Sequence, residues 1–510
     1  MAIDVEKVRS PGWWLQRLFK KMNDRQRVAR LQLLHDYLNG RPRLPQGAEN
    51  VREMFTQFQK KACVNVPAVV VGSVSDRLTP IGFQTAADND VSGDERAAQV
   101  WERADMSIVA ADVHVMMLNL GEAFVIVGPV DEDTGVPVIT AEDPRWMVAE
   151  TDPAKPRKVL AALKVLWDDI DGVSRAYLYL PGRVFVAVKP SKTPVDRPVF
   201  TPQTWSWDEA KGGAAGQQLS HSRMPVVRFL NKDGAGEYEH HIDLIDRINH
   251  NILQRLVIAS SQAFRSMAVS GLPDVDEDGN EIDWSDAFVM MPGAMWQLPE
   301  KAEMWESQPT DLRPIIEASR DDFRQVSMAT GTPMYMMVPD GQNQSATGAG
   351  MYREQLVFRA EDRLDRVRGR WSEVMSLAFL ELGDTERADM EKLRSLWASV
   401  ERLSLAERAD AASKAQNDLP RRSRLIELWG YTPTQADRMM LEWQEEAVFN
   451  AQLAQVLAAA AGQQQVGGQP PIQAIASTPA PQPVPPRQDP FDGLSLDEIT
   501  QTEPVSTAVN

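Results

Sequence analysis

Apolar residues recur every three or four positions along several long segments of this chain, which is the pattern of a helix with one buried face. The first such segment is residues 13–39, which Gly40 ends. More regular stripes run through residues 239–267, 311–330 and 351–382. We predict that all four segments are helices, and the last would be roughly 45–50 Å long at 1.5 Å per residue.

Short runs of β-branched and aromatic residues in the first half of the chain predict strands. Turn dipeptides at Asp171-Gly172 and Pro181-Gly182 join three of these runs into an antiparallel meander. Further helical patterns occupy residues 95–120 and 385–461. We therefore predict an α+β fold that is predominantly helical. The predicted strands are residues 68–71, 123–128, 159–167, 174–180, 183–189 and 224–230.

Two segments lack any periodicity. Residues 331–349 form a glycine-bearing stretch between two predicted helices, and loops of that length in a compact protein are usually functional or disordered. The last 48 residues hold nine prolines, eight glutamines and a single aromatic residue, so they bury too little apolar surface to offset the entropy of ordering. We predict that residues 462–510 are disordered.

The charge of the chain limits its dealings with DNA. The 510 residues include 72 acidic and 54 basic ones, a net charge of −18. Such a chain does not bind duplex DNA tightly by neutralising phosphates, which excludes a histone-like or repressor-like protein. Residues 1–43 are an exception, with ten basic and four acidic residues. A surface for DNA or lipid headgroups and a solvated helix face both fit this segment, and the second is favoured.

Cysteine and hydropathy exclude further classes. Cys63 is the sole cysteine, so neither an intrachain disulfide nor a cysteine-based zinc site can form. No apolar run approaches the ~18 residues of a membrane span, and the N-terminus has no secretory signal pattern. The composition fits an intracellular protein without a membrane span.

The sequence holds few candidates for catalysis. It has no phosphate-binding P-loop, no H-E-x-x-H zinc helix and no G-x-S-x-G nucleophile elbow. His240, His241 and Asp243 could supply metal ligands, but they open a predicted helix, where a solvated polar turn is the better interpretation.

An acidic segment, residues 274–286, contains seven acidic residues and no basic one. Asp274, Asp276 and Asp278 precede Gly279 with the spacing of the first half of a calcium loop. The twelfth position, however, is Ser285 instead of the usual glutamate. An acidic β-hairpin is therefore favoured, and divalent-cation binding stays as the alternative.

Several short motifs follow one another in a characteristic order. They are Tyr37-Leu38-Asn39-Gly40; Asn65 with Asp76-Arg77-Leu78 and Gly82-Phe83; MPVVRFLN at residues 224–231; TGTP at 330–333; SATGA at 345–349; Ala409-Asp410-Ala411; Leu419-Pro420; and Leu428-Trp429-Gly430-Tyr431. Together with the order of helices and strands, they resemble the portal protein, or head–tail connector ring, of tailed double-stranded-DNA bacteriophages of the siphophage type. The resemblance covers roughly residues 25–460. It departs from the family pattern before the long helix, where a Ser-Gly dipeptide is expected and the glycine is instead displaced to Gly348.

The resemblance implies a portal fold with named parts. Residues 1–24 would be an N-terminal arm, whose order the sequence does not decide, and residues 462–510 the Pro/Gln-rich tail. Between them would lie an α+β wing (25–238), stem helices (239–271 and 309–330), a β-hairpin clip (272–308), a tunnel loop (331–349), a long spine helix (350–383) and a helical crown (384–461).

The implied role is a homo-oligomeric ring of about twelve subunits at one capsid vertex of the virion, assembled in the host cytoplasm. The ring would be a passive conduit for DNA packaging and ejection, without enzymatic activity, membrane contact or cofactor. The implied partners are non-specific double-stranded DNA, the terminase large subunit, a head–tail connector or adaptor, and the major capsid and scaffold proteins.

The resemblance also assigns two sets of site residues. Asp340, Gln342, Asn343 and Gln344 would face DNA from the tunnel loop, which has no lysine or arginine. The clip would dock partners through Asp274, Asp276, Glu277, Asp278, Glu281, Asp283, Trp284 and Asp286. Two alternatives come from other classes of protein. They are an enzyme of packaging or head maturation, such as a nuclease or protease, and a calcium-dependent or membrane-surface adapter.

Overall fold

The structure, a computed structural model, describes most of the chain. The described residues are 3–45, 53–87, 93–191, 197–263, 267–272, 303–306, 308, 310–338, 346–402, 405–431 and 433–463. Contacts divide the chain into two compact units, Met1–Leu441 and Glu442–Asn510. The described part of the second unit is the continuation of a single helix.

Helices account for much of the described chain. In order they are α1 (Pro11–Met22), α2 (Arg25–Leu38), α3 (Glu53–Lys61), α4 (Val66–Ser75), α5 (Glu95–Arg103), α6 (Met106–Leu120), α7 (Ile242–Ala263), α8 (Arg313–Thr330), α9 (Met334–Met337), α10 (Ala346–Glu381), α11 (Leu405–Lys414), α12 (Arg421–Ser423) and α13 (Pro433–Gln463). A π-helical turn, Arg424–Leu428, follows α12.

The strands form four antiparallel sheets in the described residues. They are β1 (Pro80–Gln84), β2 (Glu122–Val130), β3 (Pro137–Glu142), β4 (Met147–Asp152), β5 (Lys155–Asp168), β6 (Val173–Leu180), β7 (Arg183–Pro190), β8 (Ser206–Trp207), β9 (Gln217–Gln218), β10 (Val226–Leu230), β11 (Met267–Ser270), β12 (Glu303–Glu306) and β13 (Arg394–Trp397). The largest sheet has the order β4-β5-β6-β7-β8, with β9 also on β7, and the others pair β10-β2-β3, β1-β13 and β11-β12. The predicted meander is β5, β6 and β7, and the α+β class is confirmed.

Two predicted elements near the N-terminus are wrong. Residues 13–39 are two helices, because Asp24 accepts a hydrogen bond from the Arg27 amide and caps a new helix there. Residues 68–71 lie inside α4 and are not a strand. The Asn65 side chain caps that helix, and its apolar run is too short for periodicity to distinguish a buried strand from a buried helix.

Further corrections concern the later segments. Residues 95–120 are two helices that meet at Asp105, whose φ is +49°. The predicted helix 239–267 ends at Ala263 and its last residue belongs to strand β11. Residues 394–397, predicted to be helical, form β13 and pair with β1. The long helix begins five residues earlier than predicted, at Ala346.

The main core surrounds helix α10. Trp371 is fully buried, with its ring 4.9 Å from that of Phe229 and its Nε1 donating to His114 Nε2 at 2.9 Å. A second core lies where α1 covers β5 to β7, and a third lies between the two larger sheets. Helix α10 thereby connects the sheets to the helices that follow residue 238.

Candidate functional site

Helices α7 and α8 are joined by a buried carboxylate. The Asp322 side chain is largely buried and accepts from Arg247 Nη2 at 2.7 Å and from Asn251 Nδ2 at 2.5 Å. Arg247 also donates to Gln325 at 2.6 Å. Because both donors lie on α7 and both acceptors on α8, these bonds fix the register of the helix pair.

Burial of the helix pair fades along its length. Ile245 and Ile248, early in α7, are fully buried. Further along, Leu256, Val257 and Ile258 are half-buried, as are Ile315 and Ile316 at the start of α8. The apolar stripe of the pair is therefore only partly covered by this chain.

The start of α7 is fastened to α2 and α6 by polar side chains. The Tyr238 hydroxyl lies 2.6 Å from both Leu34 O and Asn119 Oδ1, and its one proton is shared between these two acceptors. Tyr37 donates to Asp246 at 2.5 Å. Burial raises the pKa of both tyrosines, and burial also raises the pKa of Asp246. The hydroxyls therefore stay protonated as donors.

A group of buried polar side chains lies where α10 crosses the ends of α4, α8 and β10. We call it the root cluster, and its members are Ser73, Asn231, Glu237, Thr332, Arg359 and Arg363. The Glu237 carboxylate is 2% exposed and accepts from Arg363 Nε at 2.6 Å and from Asn231 Nδ2 at 3.0 Å. The cluster thus ties α4, the end of α8, the end of β10 and the turn before α7 to one turn of α10.

Charge in the root cluster is unevenly shared. Burial lowers the pKa of Arg359 to about 10, so this guanidinium remains charged at neutral pH. Burial opposes the charge of Arg363 as well, but the hydrogen bond and charge of Glu237 raise its pKa on balance. Asp362 contributes a second acid to Arg363. Among the described residues, Arg359 pairs with the Glu237 carboxylate alone, with 3.5 Å between Nε and Oε2.

The end of α8 is built into the same cluster. Gly331 ends the helix with a φ of +63°, a conformation that favours glycine. Thr332 then donates its amide to Ser327 O at 3.1 Å, and Ser327 Oγ donates to Thr332 O at 2.7 Å. Thr332 is completely buried.

The site residues predicted from the sequence fall outside the described residues. This holds for Asp340, Gln342, Asn343 and Gln344, and for the acidic residues and Trp284 of segment 274–286. The structure does describe the residues on either side of the acidic segment. Strands β11 and β12 pair with Ser270 opposite Glu303, so residues 273–302 leave and rejoin the described chain at one end of a ribbon.

The described residues contain no site that supports the two alternative functions, an enzyme or a calcium-dependent or membrane-surface adapter. No group of three or more His, Cys, Asp and Glu side chains there is placed to hold a metal ion, and His240, His241 and Asp243 form none. A cavity of about 440 Å³ contains Glu142 and Asp143, but these carboxylates pair with Lys164 at 2.6 Å and Arg145 at 2.7 Å. None of the described helices is both long and apolar enough to cross a bilayer.

Comparison with known families decides among the remaining interpretations. The family described as phage portal protein, SPP1 Gp6-like, matches residues 18–448. This chain belongs to the phage portal protein family. The resemblance noted in the motifs and the portal role expected from it are thereby confirmed, and the family is a structural one.

Two mycobacteriophage relatives agree with the family. The portal protein of Mycobacterium phage L5 is 24% identical over 415 residues, 76% of this chain and 80% of the relative. That of Mycobacterium phage D29 is 24% identical over 411 residues, 76% and 79% of the two chains. A chain in the solved neck of a native gene transfer agent particle matches 78% of this portal and 98% of its own length, with 10% identity and a TM-score of 0.40.

The portal motifs meet in the root cluster. Asn231 ends the MPVVRFLN motif and Thr332 belongs to TGTP, and both contact the buried ion pairs of α10. Sequence reasoning missed Glu237, Arg359 and Arg363. One sequence signal could have pointed to the arginines. Arg359 and Arg363 are four residues apart and lie next to the apolar stripe of α10, a position where long cationic side chains are partly buried.

Proposed function

We propose that this portal protein acts as a closed ring of about twelve copies, through which DNA passes during packaging and ejection. The family match over residues 18–448 carries the proposal. The ring occupies one vertex of the virion capsid and is assembled in the host cytoplasm. It has no catalytic activity of its own, since the terminase large subunit supplies ATP hydrolysis.

The partly covered apolar stripe of α7 and α8 supports contacts between neighbouring copies. Leu256, Val257, Ile258, Ile315 and Ile316 lie half-buried at the end of the helix pair away from the root cluster. In a ring each pair meets the pairs of two neighbours, which removes the remaining apolar surface from water. Residues 239–271 and 309–330 are accordingly assigned to the stem.

The charge of the chain supports passage of DNA without tight binding. Twelve copies at −18 each carry roughly −216 formal charges, which repel phosphate and keep DNA free to slide. We assign residues 331–345, between the end of α8 and the start of α10, as the tunnel loop, four residues shorter than predicted because α10 begins at Ala346. In it, Asp340, Gln342, Asn343 and Gln344 present one acid and three neutral amides to the DNA.

The acidic clip, residues 272–308, is proposed to dock the terminase and later the head–tail connector. Its acids, such as Asp274, Glu277 and Asp283, would steer basic partner surfaces. Major capsid and scaffold proteins would contact the wing, residues 25–238. A divalent cation held by Asp274, Asp276 and Asp278 remains a subsidiary proposal. A calorimetric titration in which calcium gives no heat would remove it.

The tunnel-loop assignment can be tested by replacing residues 340–344 with a Gly/Ser linker of equal length. We expect the ring to assemble, with unchanged native mass, and DNA packaging or retention to fall. The physical reason is that the linker removes the amide and carboxylate groups that face DNA and leaves the stem contacts in place.

A matched control replaces residues 131–135, the turn between β2 and β3, with the same linker. This control should package DNA normally. Normal packaging and retention in the 340–344 variant as well would contradict the assignment.

A further inference from the structure

Arg359 makes contacts that differ from those of its neighbour Arg363. Its Nη1 donates to Thr332 Oγ1 at 3.3 Å, and its Nη2 donates to Val70 O at 3.0 Å and to Ser73 Oγ at 3.2 Å. Its Nε is buried and has no hydrogen-bond partner in the part of the chain that the structure describes. Arg363, in contrast, directs its guanidinium at the carboxylates of Glu237 and Asp362. Arg363 therefore neutralises the carboxylates of Glu237 and Asp362. Arg359 instead connects backbone and hydroxyl groups of α4 and of the end of α8.

The bond to Thr332 closes a loop in the chain. Residues 332 and 359 are 27 positions apart, and the span between them contains α9, the tunnel-loop candidate and the first turns of α10. Thr332 is already held on its backbone by Ser327 through two hydrogen bonds. Arg359 adds a bond to the side chain, so the loop leaves α8 from a residue that is fixed on three sides.

The chemistry of this contact requires a guanidinium. Arginine carries five donors in a rigid planar fork, so one side chain can reach the hydroxyl of Thr332 and the two acceptors on α4 together. Lysine has a single ammonium at the end of a flexible stem and cannot span these acceptors in the same way. Glu237 is shared with Arg363, so charge alone does not account for Arg359.

We propose that Arg359 is a positioning residue for residues 331–338, which begin the tunnel-loop candidate. It fixes this segment against α4 and α10 through its bonds to Thr332, Val70 and Ser73. The inference rests on the proposed function for the DNA-facing role of residues 339–345. The positioning itself can be measured without DNA.

The experiment compares three variants of the full-length chain, each assembled as the ring. Arg359→Lys keeps the charge and removes the fork. Thr332→Val keeps the shape and removes the acceptor. Arg363→Lys is the matched control, one turn along α10 with the same acidic partner and no bond to Thr332. Hydrogen–deuterium exchange is followed at residues 331–338 and, for reference, within α8.

We expect exchange at residues 331–338 to rise about fivefold in Arg359→Lys and in Thr332→Val, the factor that matches one lost net hydrogen bond. Arg363→Lys should leave those residues unchanged. Unchanged exchange in Thr332→Val, or an equal rise in Arg363→Lys, would overturn the proposal. If Arg359→Lys fails to assemble, Thr332→Val decides, because it alters no charge.

DNA retention by particles containing Arg359→Lys separates the positioning role of Arg359 from the proposed DNA-facing role of the tunnel loop. Faster exchange with impaired retention supports both the positioning role and the DNA-facing loop. Faster exchange with normal retention supports the positioning role and contradicts the proposed function of the loop.

Discussion

Removing the charge of Glu237 should destabilise the portal more than removing an exposed charge from α10. The carboxylate is 2% exposed and lies against two arginines of α10 and the amide of Asn231. In Glu237→Gln the side chain keeps its shape, but its new NH₂ group faces guanidinium donors. Arg359 loses its sole acidic neighbour within the described residues, while Arg363 keeps Asp362.

The magnitude follows from these contacts. Removing one partner of a buried ion pair costs about 3–5 kcal/mol, because the other charge stays buried and unpaired. Arg359 keeps three neutral acceptors and Arg363 keeps one acid, so we expect the lower end, about 3 kcal/mol. That value corresponds to more than a hundredfold change in the unfolding equilibrium.

The assay is urea unfolding of the unassembled chain, followed by circular dichroism and by hydrogen exchange within α10. Exchange is included because a chain of this size need not unfold in one step. The matched control is Glu361→Gln, which removes the same charge from an exposed position on α10. The two variants should differ by about 3 kcal/mol in the local stability of α10. Equal effects of the two substitutions would refute the reasoning.

Two further predictions concern other parts of the structure. Burial lowers the pKa of His114 to about 3, and its Nε2 accepts from Trp371. The unfolded chain takes up this proton near pH 6.5, so stability is lost as pH falls from there towards 3. His114→Gln should therefore show a shallower loss in thermal melts between pH 7 and pH 4, and an unchanged slope would contradict the burial argument. Phe19→Ala should release α1, because this ring packs against Phe200 and Trp205 at 5.3 and 5.1 Å. The cost is about 3–5 kcal/mol, visible as faster proteolysis before residue 24, and unchanged cleavage would show that α1 is held elsewhere.

Much of the helical framework could be predicted, because a long apolar stripe with helical spacing identifies a helix without any knowledge of tertiary contacts. Helix α8 has Pro314 in its first turn and Gly331 at its end, and its predicted and observed bounds differ by two residues at the start. The meander β5 to β7 was equally visible, because glycine turns separate its runs.

Elements that depend on distant residues could not be predicted. The apolar run of α4 fits a strand as well as a helix, and only its burial under α6 and α10 decides. Strand β13 is short, and its partner β1 lies more than 300 positions earlier in the chain, with Gln84 opposite Arg394. The predictions for α4 and β13 were wrong for the same reason: tertiary contacts outweigh local propensity.

Some residues of the root cluster could be predicted from the sequence and others could not. The motif residues Asn231 and Thr332 were visible in the sequence, but their common neighbours were not. Glu237 and Arg363 are 126 positions apart, and no pattern within either segment indicates that they pair. The tunnel-loop and clip residues stay predictions, since they lie outside the described residues.

The central claim is that the chain forms a ring with a channel. The most direct test is the native mass of the purified full-length protein, with negative-stain images of the same fraction. We predict a closed ring with a central hole and a mass of about 680 kDa, twelve copies of a 56.9 kDa chain. A compact dimer without a hole would contradict the account.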